Sequence, residues 1–193
     1  MKRLGTGVAA IALCAGLIGV GATEASSATV LTPRGTSPKA LGFGTSWGVH
    51  YRTTTCQPGG AATRCLAVTW MRPNKVARPP EINQHLVYSA STYPTVRGAR
   101  LAAARVVAVT RALAPPKDTA LSNLVVKKTF AGDAVRHFVS FLYDGPQQRI
   151  RYYVVQRGRR VVQLSLGSNT PLGALPVVTK PTKLWNTLTY LAR

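Results

Sequence analysis

Acidic side chains are nearly missing from this chain. Its 193 residues hold 5 Asp and Glu against 25 Lys and Arg, for a formal net charge of +20. The five, Glu24, Glu81, Asp118, Asp133 and Asp144, are too scattered to supply the paired carboxylates of general acid–base catalysis. Histidine is as scarce. His50 and His137 fall in segments of strand character, where an imidazole is an ordinary sheet residue, and His85 stands alone. No cluster of His, Cys, Asp and Glu has the spacing of metal ligands, and no glycine-rich loop opens a helix as a phosphate cradle would. A hydrolase set could be composed of Ser140, His85 and Asp144. It lacks a Gly-x-Ser-x-Gly elbow, and Ser140 sits inside a strand. These absences argue against an enzyme and imply no cofactor.

Long hydrophobic runs are missing too, except at the start. Met1-Lys2-Arg3 is a short positive stretch, and Val8 to Val20 is an apolar run followed at once by small polar residues. Ser26 and Ala28 fit the small-x-small pattern of a signal peptidase site, with Ala25 the nearest competitor. Residues 1–28 are therefore expected to be a secretion signal. The run is short and Gly-rich for a retained anchor, and Leu13 before Cys14 does not suit a lipoprotein. Cleavage after Ala28 leaves 165 residues with 23 basic and 4 acidic side chains, because Lys2, Arg3 and Glu24 leave with the signal. No transmembrane segment then remains. The protein is expected to be secreted, extracellular or associated with the cell envelope.

Of the three cysteines, Cys14 departs with the signal. Cys56 and Cys65 remain as a pair in an oxidising compartment, around a turn-rich loop, and are expected to form a disulfide. Closing a loop of about ten residues contributes about 2.7 kcal/mol by the chain-entropy argument.

Residues 29–45 contain Pro33, Gly35, Pro38, Gly42 and Gly44 and read as a flexible lead-in to a single domain over 46–193. Ser46 to Cys56 and Cys65 to Arg72 are rich in β-branched and aromatic residues and read as a hairpin stapled at its mouth. Residues 73–94, with Pro79-Pro80 and Pro94, read as irregular. A helix follows over 96–113. At 100° per residue it places Ala102, Val106, Val109 and Leu113 on one face and Arg97, Arg100 and Arg111 on the other. From residue 123 the period is two, giving strands near 124–130, 134–143, 149–156 and 161–166, with a tight turn at Arg157-Gly158. A final helix from Pro181 carries Leu184, Leu188 and Leu191. The fold class is α+β: a disulfide-stapled N-terminal hairpin, a helix, an antiparallel β-meander, and a C-terminal helix packed on the sheet.

What the chain has in abundance is arginine. Arg149, Arg151, Arg157, Arg159 and Arg160 crowd one hairpin, and alternation puts Arg149, Arg151 and Tyr153 on one face. Guanidinium groups beside an aromatic ring suit phosphates and can stack on a base or sugar. With Arg97, Arg100 and Arg111 they form the candidate anion-binding set. A surface this basic attracts polyanions, although Arg and Ala richness is also what a GC-rich coding sequence produces. Nucleic acid is a poor partner outside a cell. Without a nucleic-acid-binding motif its contact would be electrostatic rather than specific.

Phe138-Val-Ser-Phe-Leu-Tyr-Asp-Gly, then Arg151-Tyr-Tyr-Val-Val-Gln-Arg-Gly-Arg-Arg-Val-Val-Gln-Leu-Ser-Leu and the Trp185 helix, resemble the PsbP-like fold family. That family includes the LpqN-type exported proteins of actinobacteria. The resemblance spans residues 45–193, in the rhythm of strand, Gly turn, strand and final helix. It implies a small non-catalytic accessory or binding protein of the envelope and carries over no functional residue. The disulfide hairpin and the charge depart from it. The sequence thus favours an exported binding protein whose partners are anionic envelope polymers, lipid headgroups or an envelope protein. A secreted hydrolase, or a secreted inhibitor or toxin, is the alternative.

Overall fold

The computed structural model describes residues 36–44, 46–56, 60–73, 82–114, 124–143, 148–168 and 175–193. The signal expected at 1–28 lies outside them, as do Glu81, Asp118 and Asp144. The strands are β1 (Gly48–Thr53), β2 (Arg64–Pro73), β3 (Ile82–Thr92), β4 (Val125–Ala131), β5 (Ala134–Tyr143), β6 (Gln148–Arg157) and β7 (Arg160–Ser168). Helix α1 is Val96–Ala112 and helix α2 is Pro181–Leu191. The strands form one seven-stranded antiparallel sheet in the order β1-β2-β3-β7-β6-β5-β4. The fold class is α+β. No helix among the described residues is long and apolar enough to cross a membrane.

The staple forms as expected: Cys56 and Cys65 are disulfide-bonded with Cα atoms 5.1 Å apart, at the end where the connecting loop joins β1 to β2. The turn at Arg157-Gly158 is also present, with Gly158 at φ 53°, a left-handed conformation that glycine adopts without steric cost.

Residues 82–92, expected to be irregular, form a strand that pairs with β2 on one side and β7 on the other. Its alternation was masked by polar side chains. Leu86 and Tyr88 point into one core, while His85, Val87, Ser89 and Ser91 project from the other face. The chain therefore runs β1-β2-β3, crosses through α1 to the far edge, and returns β4-β5-β6-β7 until β7 closes on β3.

Each face of the sheet has a buried core, because the two described helices lie on opposite sides. Tyr153, Val155, Leu164, Leu166, Tyr88 and Trp70 form a core with Leu184, Leu188 and Leu191 of α2. Val154 and Val161 pack on Ala99 and Ala103 of α1, and Tyr152, Phe141 and Val139 continue that second layer toward Val107 and Leu113. Alternating residues of β6 thus enter different cores, which is why Tyr152 to Gln156 are all buried. The stretch 36–44 is not a loose lead-in. Its backbone turns on Phe43 N donating to Pro38 O at 2.8 Å, and Leu41 and Phe43 join the α2-side core. Trp47 Nε1 then donates to Phe43 O at 2.9 Å.

Helix α1 starts where Thr95 Oγ1 accepts from Gly98 N at 3.0 Å, an N-cap. Its buried positions are Ala99, Ala103 and Thr110. That line is turned by roughly 70° from the Ala102, Val106, Val109 and Leu113 stripe that periodicity assigned to the core. Small residues let the helix approach the sheet closely, and this leaves Val109 and Leu101 exposed. Helix α2 is secured at its end by Arg160, whose Nη1 donates to Leu191 O at 3.1 Å and Arg193 O at 2.8 Å. A cation there also complements the helix dipole.

At Gly167, on β7, an added Cβ would run into the His85 imidazole across the strand pair. Gly167→Ala is expected to lower stability by about 1–3 kcal/mol through overpacking. Thermal denaturation of the variant beside the parent chain measures this, and an unchanged midpoint would contradict the packing described.

Candidate anion pocket at the start of the C-terminal helix

Two groups of the conceivable hydrolase set, Ser140 and His85, lie on opposite faces of the sheet. Ser140 pairs with Arg151, Arg151 with Leu166, and Leu166 with Leu86. Ser140 therefore shares the face of Leu86, while His85 projects from the opposite side. Asp144 is outside the described residues. His85 is buried, and desolvation lowers its pKa to about 4, so it is neutral at pH 7. His137 is shifted down as well, by burial and then by Lys128. Among the described residues, no group of three or more His, Cys, Asp and Glu could hold a metal ion.

The arginines expected to form one patch are divided between the two sides of the sheet. Arg97, Arg100 and Arg111 are exposed on α1, together with Arg105, which the sequence analysis did not single out. Arg157 forms an ion pair with Asp133 at 2.7 Å, and its guanidinium holds that carboxyl below the usual range. Arg160 is taken up by the carbonyls ending α2. Arg159 is exposed in the β6–β7 turn. The Arg149 backbone lies in β6, and its side chain is outside what is described. Tyr153 is not displayed at all: it is 5% exposed, with its ring 5.2 Å from Phe138 and 5.1 Å from Trp185. Alternation placed it correctly on the face of Arg151, but α2 covers that face.

Arg151 is different. It lines a cavity of about 350 Å³ with Ser140, Tyr153, Phe138, Val125 and Pro181. Ser140 lies directly across from Arg151 on β5, and Tyr153 is two residues along the same face of β6. Among the described residues, neither the Arg151 guanidinium nor the Tyr153 hydroxyl has a hydrogen-bond or ion-pair partner. Burial pushes the Tyr153 pKa up, and the charge on Arg151 draws it back, so the phenol stays a proton donor at neutral pH. Pro181, at the first position of α2, brings the helix N-terminus to the rim. That N-terminus has no side-chain cap from Lys180 and no acidic residue in its first turn. Arg151, Ser140, Tyr153 and the first residue of α2 thus line one opening whose remaining wall is apolar (Val125, Phe138, Phe141, Leu142 and Val178), and its single guanidinium suits a carboxylate or phosphate.

Sequence reasoning found Arg151 and Tyr153 but not Ser140 or Pro181 as their neighbours. The cross-strand register that brings Ser140 opposite Arg151 is not readable before the strands are paired. A proline-initiated helix with no acid in its first turn was the readable signal.

No protein-family model matches this chain, and no curated protein matches it. Among solved structures it is similar to the extracellular domain of PknH from Mycobacterium tuberculosis, at a TM-score of 0.47 and 8% identity. The likeness covers 80% of this chain and 87% of that one. A likeness at that level says nothing about what this chain binds.

The His85 shift has a consequence for stability. Its folded pKa lies below the ordinary value of 6.5, so the unfolded chain binds more protons between pH 6.5 and pH 4. Stability is then fully present above pH 6.5 and falls as pH drops toward 4, by about 3 kcal/mol in total. Denaturant titrations at pH 7, 5.5 and 4 should show the decline, and His85→Gln should flatten it. An equal slope in the variant would assign the effect to other groups.

Proposed function

We propose that this chain is an exported, non-catalytic binding protein that attaches to an anionic component of the cell envelope. The Arg151 cavity is the point that receives a phosphate or carboxylate group. The exposed arginines of α1 and Arg159 add a long-range attraction that steers polyanions toward the surface without selecting among them. Support for export comes from the N-terminal sequence pattern and the Cys56–Cys65 disulfide. The resemblance of residues 45–193 to the PsbP-like fold family fits the same accessory role.

One observation carries this reading. In a chain with a net charge of +20, Arg151 and Tyr153 line one cavity, and neither side chain has a hydrogen-bond or ion-pair partner among the described residues. Leaving a charged donor unpaired in a partly buried site is unfavourable, and an incoming anion relieves it. Arg157 and Arg160, by contrast, are occupied within the fold.

The chain expressed in cells should be found in the envelope fraction and come off progressively as salt is raised. In vitro it should sediment with vesicles containing an anionic phospholipid and not with purely zwitterionic ones. Arg151→Gln should weaken that binding about tenfold at physiological salt, the size of a lost charge-assisted hydrogen bond. Exchanging Arg97, Arg100 and Arg111 together for Gln should mainly reduce the salt dependence. Recovery of the protein free in the medium at low salt would sink the envelope reading. Unchanged binding by Arg151→Gln would remove the cavity from it.

A further inference from the structure

On the α1 side the sheet is only partly covered. Helix α1 packs on β6, β7 and β5, and no described helix lies over β1, β2 and β3 on that face. The register puts Ala67 of β2, Val87, Ser89 and Ser91 of β3, and Val161 and Gln163 of β7 on this surface. These are mostly small side chains, so the floor is low. One wall is α1, through Leu101, Ala102, Arg105 and Val106. The other is the segment Gly60–Ala62 beside the Cys56–Cys65 disulfide. Between them lies a groove of about 380 Å³, within the range of small-molecule pockets, about 300–1,000 Å³.

The rotation of α1 explains why its wall is apolar. Because Ala99 and Ala103 face the core, the helix's larger apolar side chains are carried round toward the groove, and Leu101 is left 63% exposed. Among the described residues, Arg105 is the single charged one lining the groove, and no acid lines it. It has no ion-pair or hydrogen-bond partner among the described residues. The disulfide, with Cys65 in the lining, holds the far rim in place.

We infer that this groove binds a small amphipathic acid, a hydrocarbon body ending in a carboxylate. The body lies along Ala67, Val87, Leu101 and Val106, and the carboxylate pairs with Arg105. Ser89 and Gln163 offer hydrogen bonds along the floor. Charge complementarity selects the acid over a neutral lipid, and a concave volume of about 380 Å³ favours a small molecule over a folded partner. The site lies on the opposite face of the sheet from the Arg151 cavity and does not depend on it.

The test uses protein purified from cells expressing the full chain, titrated calorimetrically with dodecanoic acid and with dodecanol, each below its aggregation concentration. Saturable, one-to-one binding of the acid is expected, about tenfold tighter than the alcohol. Arg105→Gln should remove that preference and leave dodecanol binding unchanged. Leu101→Asp, at an exposed helix position where the fold tolerates it, should weaken the acid at least tenfold by removing apolar wall and adding a like charge. Absence of saturable dodecanoate binding would overturn the inference. So would equal affinity in Arg105→Gln, or a dimer of the parent chain in sedimentation that Leu101→Asp splits, since a second copy would then cover the groove. A negative result with dodecanoate leaves the vesicle binding through Arg151 standing, so the two readings fail separately.

Discussion

The rest of the structure depends on the pairing of β3 with β7. The β1-β2-β3 and β4-β5-β6-β7 runs are each local meanders, in which neighbours in sequence are neighbours in space. Only β3–β7 joins them, from Gln84 opposite Ser168 to Thr92 opposite Arg160. Without that seam the chain is two small sheets, each with a face that cannot be buried. With it, Leu86 and Tyr88 lie beside Leu166 and Leu164, and one continuous core runs from Trp70 to Leu188. The fit at the seam is close enough that His85 takes the space where any residue but glycine at 167 would place a side chain.

A single sheet with a helix on each face makes the two concavities. On one side α2, the 36–44 turn and Leu175 cover the sheet more fully. One opening on that side is at the start of α2, where Arg151 is found. On the other side α1 covers the middle and one flank, and the strands that no described helix covers give the groove. The two sites therefore differ in chemistry. One lies at a helix terminus with Arg151, Ser140 and Tyr153 in its lining, and the other is mainly apolar with Arg105 at its edge.

Scarcity of acid shapes how the arginines are used. Of the five acidic residues only Asp133 lies among the described residues, and it takes Arg157. Other guanidiniums find neutral partners. Arg136 donates to Thr189 Oγ1 at 2.9 Å and lies over the Trp185 ring, Arg72 lies over Trp47, and Arg160 meets the carbonyls of α2. These contacts tie helices and turns to the sheet through stacking and hydrogen bonds rather than through charge pairs. Arg105 and Arg151, outside such contacts among the described residues, keep their charge available for other molecules.

Sequence by itself determined the elements whose signals are local. The Cys56–Cys65 staple, the helix from Val96, the four strands after residue 123 and the Pro181 helix are legible because period, capping and turn chemistry act over a few residues. It also determined the charge and the shared face of Arg151 and Tyr153. Strand β3 was hidden, because its outer face is polar where no described helix covers it, and alternation without a fully apolar half resembles a loop. The packing of Leu41 and Phe43, the rotation of α1 and the burial of Tyr153 were decided by tertiary structure alone. So was the meeting of Ser140, Arg151 and the α2 N-terminus. Each depends on which surface arrives opposite, and that follows from strand register and helix placement between residues far apart in the chain, which no local pattern encodes.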